Sequence, residues 1–211
     1  MSSTALVVGI LLAGGKSSRM GGGDKCMRPL GGRPILAHII ERLRPQVSDM
    51  IVNANGELGR FAPFGLTVVE DSVAGFAGPL AGVLAGLEWI KKHRPDIACG
   101  VTVATDTPFF PADLVRRFLA VQGDRPALAV ASSAGGVHPV IGLWPVALAD
   151  DIENALKHGL HKVGAFTVEH RAIEVPFPPV TIGGKEIDPF FNINRPEDLA
   201  LAGALMSEHA P

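Results

Sequence analysis

The chain has 211 residues, 47% of them apolar and 19% charged, with a formal charge of −2 at pH 7. That length suits one domain with a substantial buried core. The balance excludes a disordered chain and a broadly basic nucleic-acid binder.

The first predicted element is a strand over residues 6–12, whose apolar, β-branched run reads as buried on both faces. The run is too short to cross a bilayer, and the amino terminus lacks the basic region and cleavage pattern of a secretory signal, so no membrane is expected as a partner. Next come a helix over 34–43 and strands over 50–54 and 66–69. Pro79 is placed to open a helix running to residue 93, with Leu80, Val83, Leu84 and Leu87 at helical spacing. A strand over 100–104, a helix over 111–119, strands over 127–131 and 140–144 and a helix over 147–157 follow. The stretch after it, with Pro176, Pro178 and Pro179, reads as less regular, before FNIN (191–194) and a terminal helix from Pro196. This βαβ rhythm predicts one three-layer α/β/α, Rossmann-like domain over residues 1–211, with a mainly parallel sheet and a cleft at the strands' carboxyl ends.

The segment 11–25, LLAGGKSSRMGGGDK, places a glycine-rich turn directly after the first strand and then delivers cations. Gly14 and Gly15 let backbone N–H groups approach an anion, and Gly21, Gly22 and Gly23 let the loop fold back over it. Arg19 and Lys25 supply the charge that neutralises a triphosphate. The string is neither the Walker pattern nor the dinucleotide fingerprint, because no Ser or Thr follows Lys25 and no helix starts promptly after Gly15. A solvated surface turn is the plainer alternative.

Asp106 follows the apolar strand VTVAT and precedes Thr107 and Pro108, so its carboxylate projects at the sheet edge, where it either caps a turn or ligates Mg²⁺ beside bound phosphates. Asp71 follows LTVVE; its carboxylate can accept from guanine N1–H and N2–H₂, lie near ribose or metal, or merely form the turn with Ser72. Asn53 ends a strand, and Asn55 is a secondary candidate. Asn192 and Asn194 share a face if FNIN is a strand, where they orient phosphates or pair with backbone. Cys26 and Cys99 are too few for a disulfide framework, lack zinc-site spacing and fit a reducing cytoplasm. His138, before Pro139, is placed to line the cleft or to be structural. His158 and His161 show no metal pattern. Trp89 and Trp144 read as core.

LAGGxSxRMGxxxK (12–25) with GRPIL (32–36) after it resembles the loop of nucleotidyltransferases that move a nucleoside monophosphate onto a phosphate acceptor. VNAN (52–55), EDSVAGFAGPLAG (70–82), ATDTPFFPADL (104–114), HPVIGLW (138–144) and FFNINRPEDL (190–199) extend the resemblance in register, and it is strongest to the molybdenum cofactor guanylyltransferases. The resemblance implies a cytoplasmic enzyme that uses Mg²⁺ held by Asp106 and transfers GMP from GTP to molybdopterin, with or without molybdenum. It places Leu12, Ala13, Gly14, Gly15, Gly22, Lys25, Asn53, Asp71 and Asp106 among nucleotide contacts, and Asn192 and Asn194 near acceptor and metal. Lys162 stands where relatives carry arginine, which leaves a point-charge contact with an acceptor phosphate. LAGG is similar to the guanine-using form of the turn, whereas enzymes using CTP carry an alanine-rich version. Transient contacts with cofactor-synthesis proteins and target molybdoenzymes are also implied. The competing expectations are a molybdopterin cytidylyltransferase, a sugar-1-phosphate nucleotidylyltransferase and a nucleotide-binding module that delivers cofactor without chemistry.

Overall fold

The computed structural model describes residues 6–14, 24–73 and 78–207. In chain order the elements are β1 (Val7–Leu12), β2 (Pro29–Leu30), β3 (Arg33–Pro34), α1 (Ile35–Leu43), β4 (Asp49–Asn53), β5 (Thr67–Val69), α2 (Pro79–His93), β6 (Cys99–Ala104) and α3 (Leu114–Ala120). They continue with β7 (Ala129–Ser133), β8 (Gly136–Pro145), α4 (Ala149–Lys157), α5 (Val163–Glu169), β9 (Ile173–Pro176), β10 (Val180–Ile182), β11 (Lys185–Ile187) and α6 (Pro196–Ser207). Among the described residues a seven-stranded sheet runs in the order β5-β4-β1-β6-β8-β7-β9, with β2–β3 and β10–β11 as separate ribbons. Only β8 opposes the other strands of the large sheet, so the expected mainly parallel α/β architecture is present.

Alternation along β1 builds the two faces. Val7 and Leu11 join the core that includes residues of α1, α3 and α6, while Val8, Ile10 and Leu12 join the core under α2, α4 and α5. All six positions of β1 are buried. That is why the strand reads as one apolar run. From β1 the chain crosses to β4 on one side and later to β6 on the other, and this reversal is where open α/β sheets leave a crevice.

Several expected boundaries differ. The helix expected from residue 111 begins at Leu114, because Pro111 instead opens a turn in which the Leu114 N–H donates to the Pro111 carbonyl at 3.2 Å. The strand expected over 140–144 is the ten-residue β8, and the one expected over 127–131 is shifted to Ala129–Ser133. The stretch after α4 is more regular than expected, holding α5, β9 and the β10–β11 hairpin. Each of these is seven residues or shorter, which is too short to establish a period. FNIN is not a strand; it is irregular chain leading into α6.

Candidate active site

Leu12 pairs with Asn53 on one side and Ala104 on the other, and Asn53 pairs with Val69, so four strands end level. Asp71 lies two residues beyond β5 and Asp106 two beyond β6. The register therefore delivers both carboxylates to one edge. A cleft of about 440 Å³ opens there, lined by Leu12, Ala13, Gly14, Asp24, Lys25, Asp106 and Asn192 among others. Pro79 also lines it, placing the amino end of α2, with its partial positive charge, at the rim.

On the β6 side the Lys25 ammonium donates to Asp106 Oδ2 at 2.7 Å and to Asn194 Oδ1 at 2.6 Å. Thr107 Oγ1 donates to Asn192 Oδ1 at 2.6 Å. FNIN is docked by its own backbone: Ile193 is buried and its N–H donates to the Asp106 carbonyl at 2.9 Å. Asn192 and Asn194 therefore both face the Asp106 side without a ladder to hold them. Asp198, at the third position of α6, accepts from the N–H groups of Asn194 and Arg195 at 2.8 Å each, the carboxylate half of a capping box, which fixes Asn194 at the helix entrance.

On the β4 side the Asn53 amide is buried and donates to Asp71 Oδ1 at 2.9 Å and to the Val69 carbonyl at 3.2 Å. Asn55 Nδ2 donates to Asp71 Oδ2 at 2.7 Å, and Asn55 Oδ1 accepts from the Asp71 N–H at 3.0 Å. Among the described residues each carboxylate oxygen thus takes one side-chain amide, which leaves it a lone pair for a further donor. A Cβ on Gly82 of α2 would stand 2.2 Å from Asn53 Oδ1, so only glycine lets the helix lie this close.

The remaining wall is the start of β8, which overhangs the end of β6. The β7–β8 register jumps from Val130↔Gly142 to Ala131↔His138, bulging Pro139, Val140 and Ile141 out of the ladder and into the cleft lining. Thr102 Oγ1 donates to the Val140 carbonyl at 2.6 Å and accepts from Trp144 Nε1 at 2.8 Å, so the fully buried Trp144 is core, as expected, and also braces this bulge. Ser133 Oγ donates to Asp188 Oδ2 at 2.6 Å and stands 2.7 Å from His138 Nε2. With its one proton given to Asp188, the serine accepts from His138 Nε2–H. Burial lowers the His138 pKa from 6.5, with Asp188 opposing in part. Burial also works against Asp188 ionisation, but hydrogen bonds from Ser133, Phe190 and Gly135, with His138 nearby, outweigh it and hold the carboxyl below its ordinary value.

Gly15, Arg19, Gly21, Gly22 and Gly23 lie outside the described residues. Lys162 is exposed just before α5 and is not in contact with the Lys25–Asp106 cluster. Its segment nevertheless approaches the cleft, since Gly164 packs beside Pro139. Burial first, then the Asp24 carboxylate, push the Cys26 thiol up to about 12, so it stays protonated and has no use as a nucleophile. Burial pushes Cys99 to about 11, as befits core. Among the described residues no group of three or more His, Cys, Asp or Glu side chains could hold a metal by itself. Asp106 is one part-exposed carboxylate beside amide oxygens, a donor set that suits Mg²⁺ completed by phosphate oxygens and water. No helix among the described residues is long and apolar enough to cross a membrane. Sequence reasoning missed Asp24, Arg60, Ser133 and Asp188. Asp24 stood in plain view beside Lys25, whereas the other three carried no local signal.

The family described as "MobA-like NTP transferase domain" matches residues 9–172. A protein from Bradyrhizobium sp. (strain ORS 278) named "Molybdenum cofactor guanylyltransferase" is 52% identical over 206 residues, covering 97% of this chain and 95% of its own. One of the same name from Rhodopseudomonas palustris (strain BisB5) is 49% identical, covering 92% and 90%. The crystal structure of molybdopterin-guanine dinucleotide biosynthesis protein A from Archaeoglobus fulgidus superposes with a TM-score of 0.68 at 20% identity, covering 96% of this chain and all of that one, a likeness of fold.

Proposed function

Because this chain belongs to the MobA-like NTP transferase family, and is a nucleotidyltransferase of molybdenum-cofactor synthesis, we propose that it transfers GMP from GTP to the terminal phosphate of molybdopterin. The products are pyrophosphate and a guanine dinucleotide form of the cofactor. The observation that carries this reading is the meeting of Lys25, Asp106 and Asn194 at one level strand edge, with Asn53, Asn55 and Asp71 across β1 from them.

No protein nucleophile is required, since the acceptor phosphate is already ionised near neutral pH. Its oxygen forms a bond to the α-phosphorus of GTP as the bond to the bridging α–β oxygen breaks, and pyrophosphate departs with that electron pair. Lys25 leaves Asp106 to neutralise the triphosphate, joined by Arg19. Asp106 would hold a Mg²⁺ ion, which would supply positive charge against the charge that builds on the leaving group. Asn192 and Asn194 orient phosphates, and Lys162 gives the acceptor phosphate a point charge. Leu12, Ala13, Gly14, Gly15 and Gly22 shape the nucleotide loop. The free lone pairs of Asp71 accept from guanine N1–H and N2–H₂. We read the chain as one domain over residues 1–211, working in the cytoplasm and meeting cofactor-synthesis proteins and target molybdoenzymes transiently.

The test incubates the protein with Mg²⁺ and molybdopterin, with and without molybdate, offers GTP or CTP separately, and identifies pyrophosphate and dinucleotide by mass. Product with GTP and little with CTP is expected. Product with CTP alone would overturn the base assignment, and tight nucleotide binding without product would overturn the reaction.

A further inference from the structure

Arg60 lies in the 3₁₀ turn Leu58–Phe64 after β4. Its side chain is largely covered, 24% exposed, with its guanidinium carbon 4.4 Å from the centre of the buried Phe61 ring. From there Nε donates to Asp24 Oδ2, Nη1 to the Glu57 carbonyl and Nη2 to the Asn55 carbonyl, the last at 3.3 Å. One fork therefore joins the residue immediately before Lys25 to the loop that carries Asn55.

Asp24 lines the same cleft as Lys25 and Asp106, and its side chain is 19% exposed. A bare carboxylate there would attract the Lys25 ammonium and repel an incoming triphosphate, because charges a few ångströms apart at low exposure are poorly screened. We infer that Arg60 is a positioning residue for nucleotide binding: it cancels the Asp24 charge inside the phosphate cleft and ties the Lys25 stem to the Asn55–Asp71 network. This rests on the cleft accepting a nucleoside triphosphate. Lysine could supply the charge but not three donors in one plane, so the two halves of the role are separable.

The experiment measures dissociation constants of GTP and of guanosine, by calorimetry, for the wild type, Arg60→Met, Arg60→Lys, Asp24→Asn and the Arg60→Met/Asp24→Asn double variant. Thermal unfolding is followed for each. Arg60→Met is expected to weaken GTP about tenfold and guanosine less than about threefold, since only the triphosphate meets the bare Asp24 charge. Adding Asp24→Asn should bring GTP back to within about threefold of wild type, a rescue that a merely structural arginine would not show. Arg60→Lys should fall between wild type and Arg60→Met. Should Arg60→Met not fold, Asp24→Asn alone decides, because leaving Arg60 unopposed should tighten GTP about threefold. Equal losses for GTP and guanosine, no rescue in the double variant, or unchanged or weaker GTP binding by Asp24→Asn would overturn the inference. A wild type that binds GTP with this Arg60–Asp24 coupling but makes no dinucleotide supports the inference and overturns the reaction; a wild type that binds no GTP overturns both.

Discussion

On the β6 side of the cleft a lysine and a carboxylate hold each other; on the β4 side a carboxylate is held by two amides. The Lys25–Asp106 pair is 19% and 26% exposed and lines an open cleft, so separating its charges costs little once a substrate offers each a better partner. The Asn53–Asp71–Asn55 group is built on a buried amide pressed against Gly82, and shifting it disturbs helix packing as well as hydrogen bonds. On the proposed reading, the contacts exchanged during the reaction are thus cheap to break, and the contacts assigned to base recognition are costly to move.

If that contrast holds, the largest loss follows from emptying the exchangeable side. Asp106→Asn should lower kcat on the order of 10³-fold, read as pyrophosphate release. Lys25→Ala should lower kcat roughly 10²-fold while leaving the unfolding midpoint almost unchanged, because a part-exposed ion pair adds little to stability; full guanylyl transfer by this variant would sink the role. Gly82→Ala probes the fixed side from behind. The methyl must displace Asn53, so the GTP KM should rise about tenfold and stability should fall by about 1–3 kcal/mol. Asp71→Asn should reduce the preference for GTP over ITP, which lacks the exocyclic amine, by about tenfold in kcat/KM; an unchanged ratio would move base reading elsewhere.

The smallest effect belongs to the β8 wall, outside both halves. Burial holds the native His138 pKa below 6.5, with Asp188 partly offsetting it, so the unfolded chain takes up this proton first as pH falls. Stability is complete above 6.5 and is lost as pH descends through the depressed native value. Asp188, held low in the folded state, adds a loss in the same direction as pH falls below its ordinary 3.8. His138→Gln should flatten the fall in unfolding midpoint between pH 7 and pH 5, measured by differential scanning calorimetry.

The parts of this molecule that a reader of sequence can find are those whose cause is local. β1 announces itself by six apolar residues in a row, α2 by a proline followed by helical spacing, and Asp106 by a strand broken at Thr-Pro. The partners of these groups come from far along the chain: 16 residues separate Asn55 from Asp71, 36 separate Asp24 from Arg60, and 55 separate Ser133 from Asp188. No periodicity reports such a meeting. FNIN is instructive because the expected shared face is present although the strand is not. Burial of Ile193 and its bond to the Asp106 carbonyl impose the alternation that a ladder would have imposed.

A strand that runs against its neighbours presents its beginning where theirs end. β8 therefore brings to the cleft the residues just after a tight hairpin, with Ser133 paired to Gly136 and two residues between them. Hairpin tips accept insertions and deletions far more readily than the buried strands behind them. Descent can rework the tip at residues 134 and 135 without disturbing β1, β4 or the braced bulge behind it, so the rim of the cleft can be recut for a different guest while the strands that frame it are passed on unchanged.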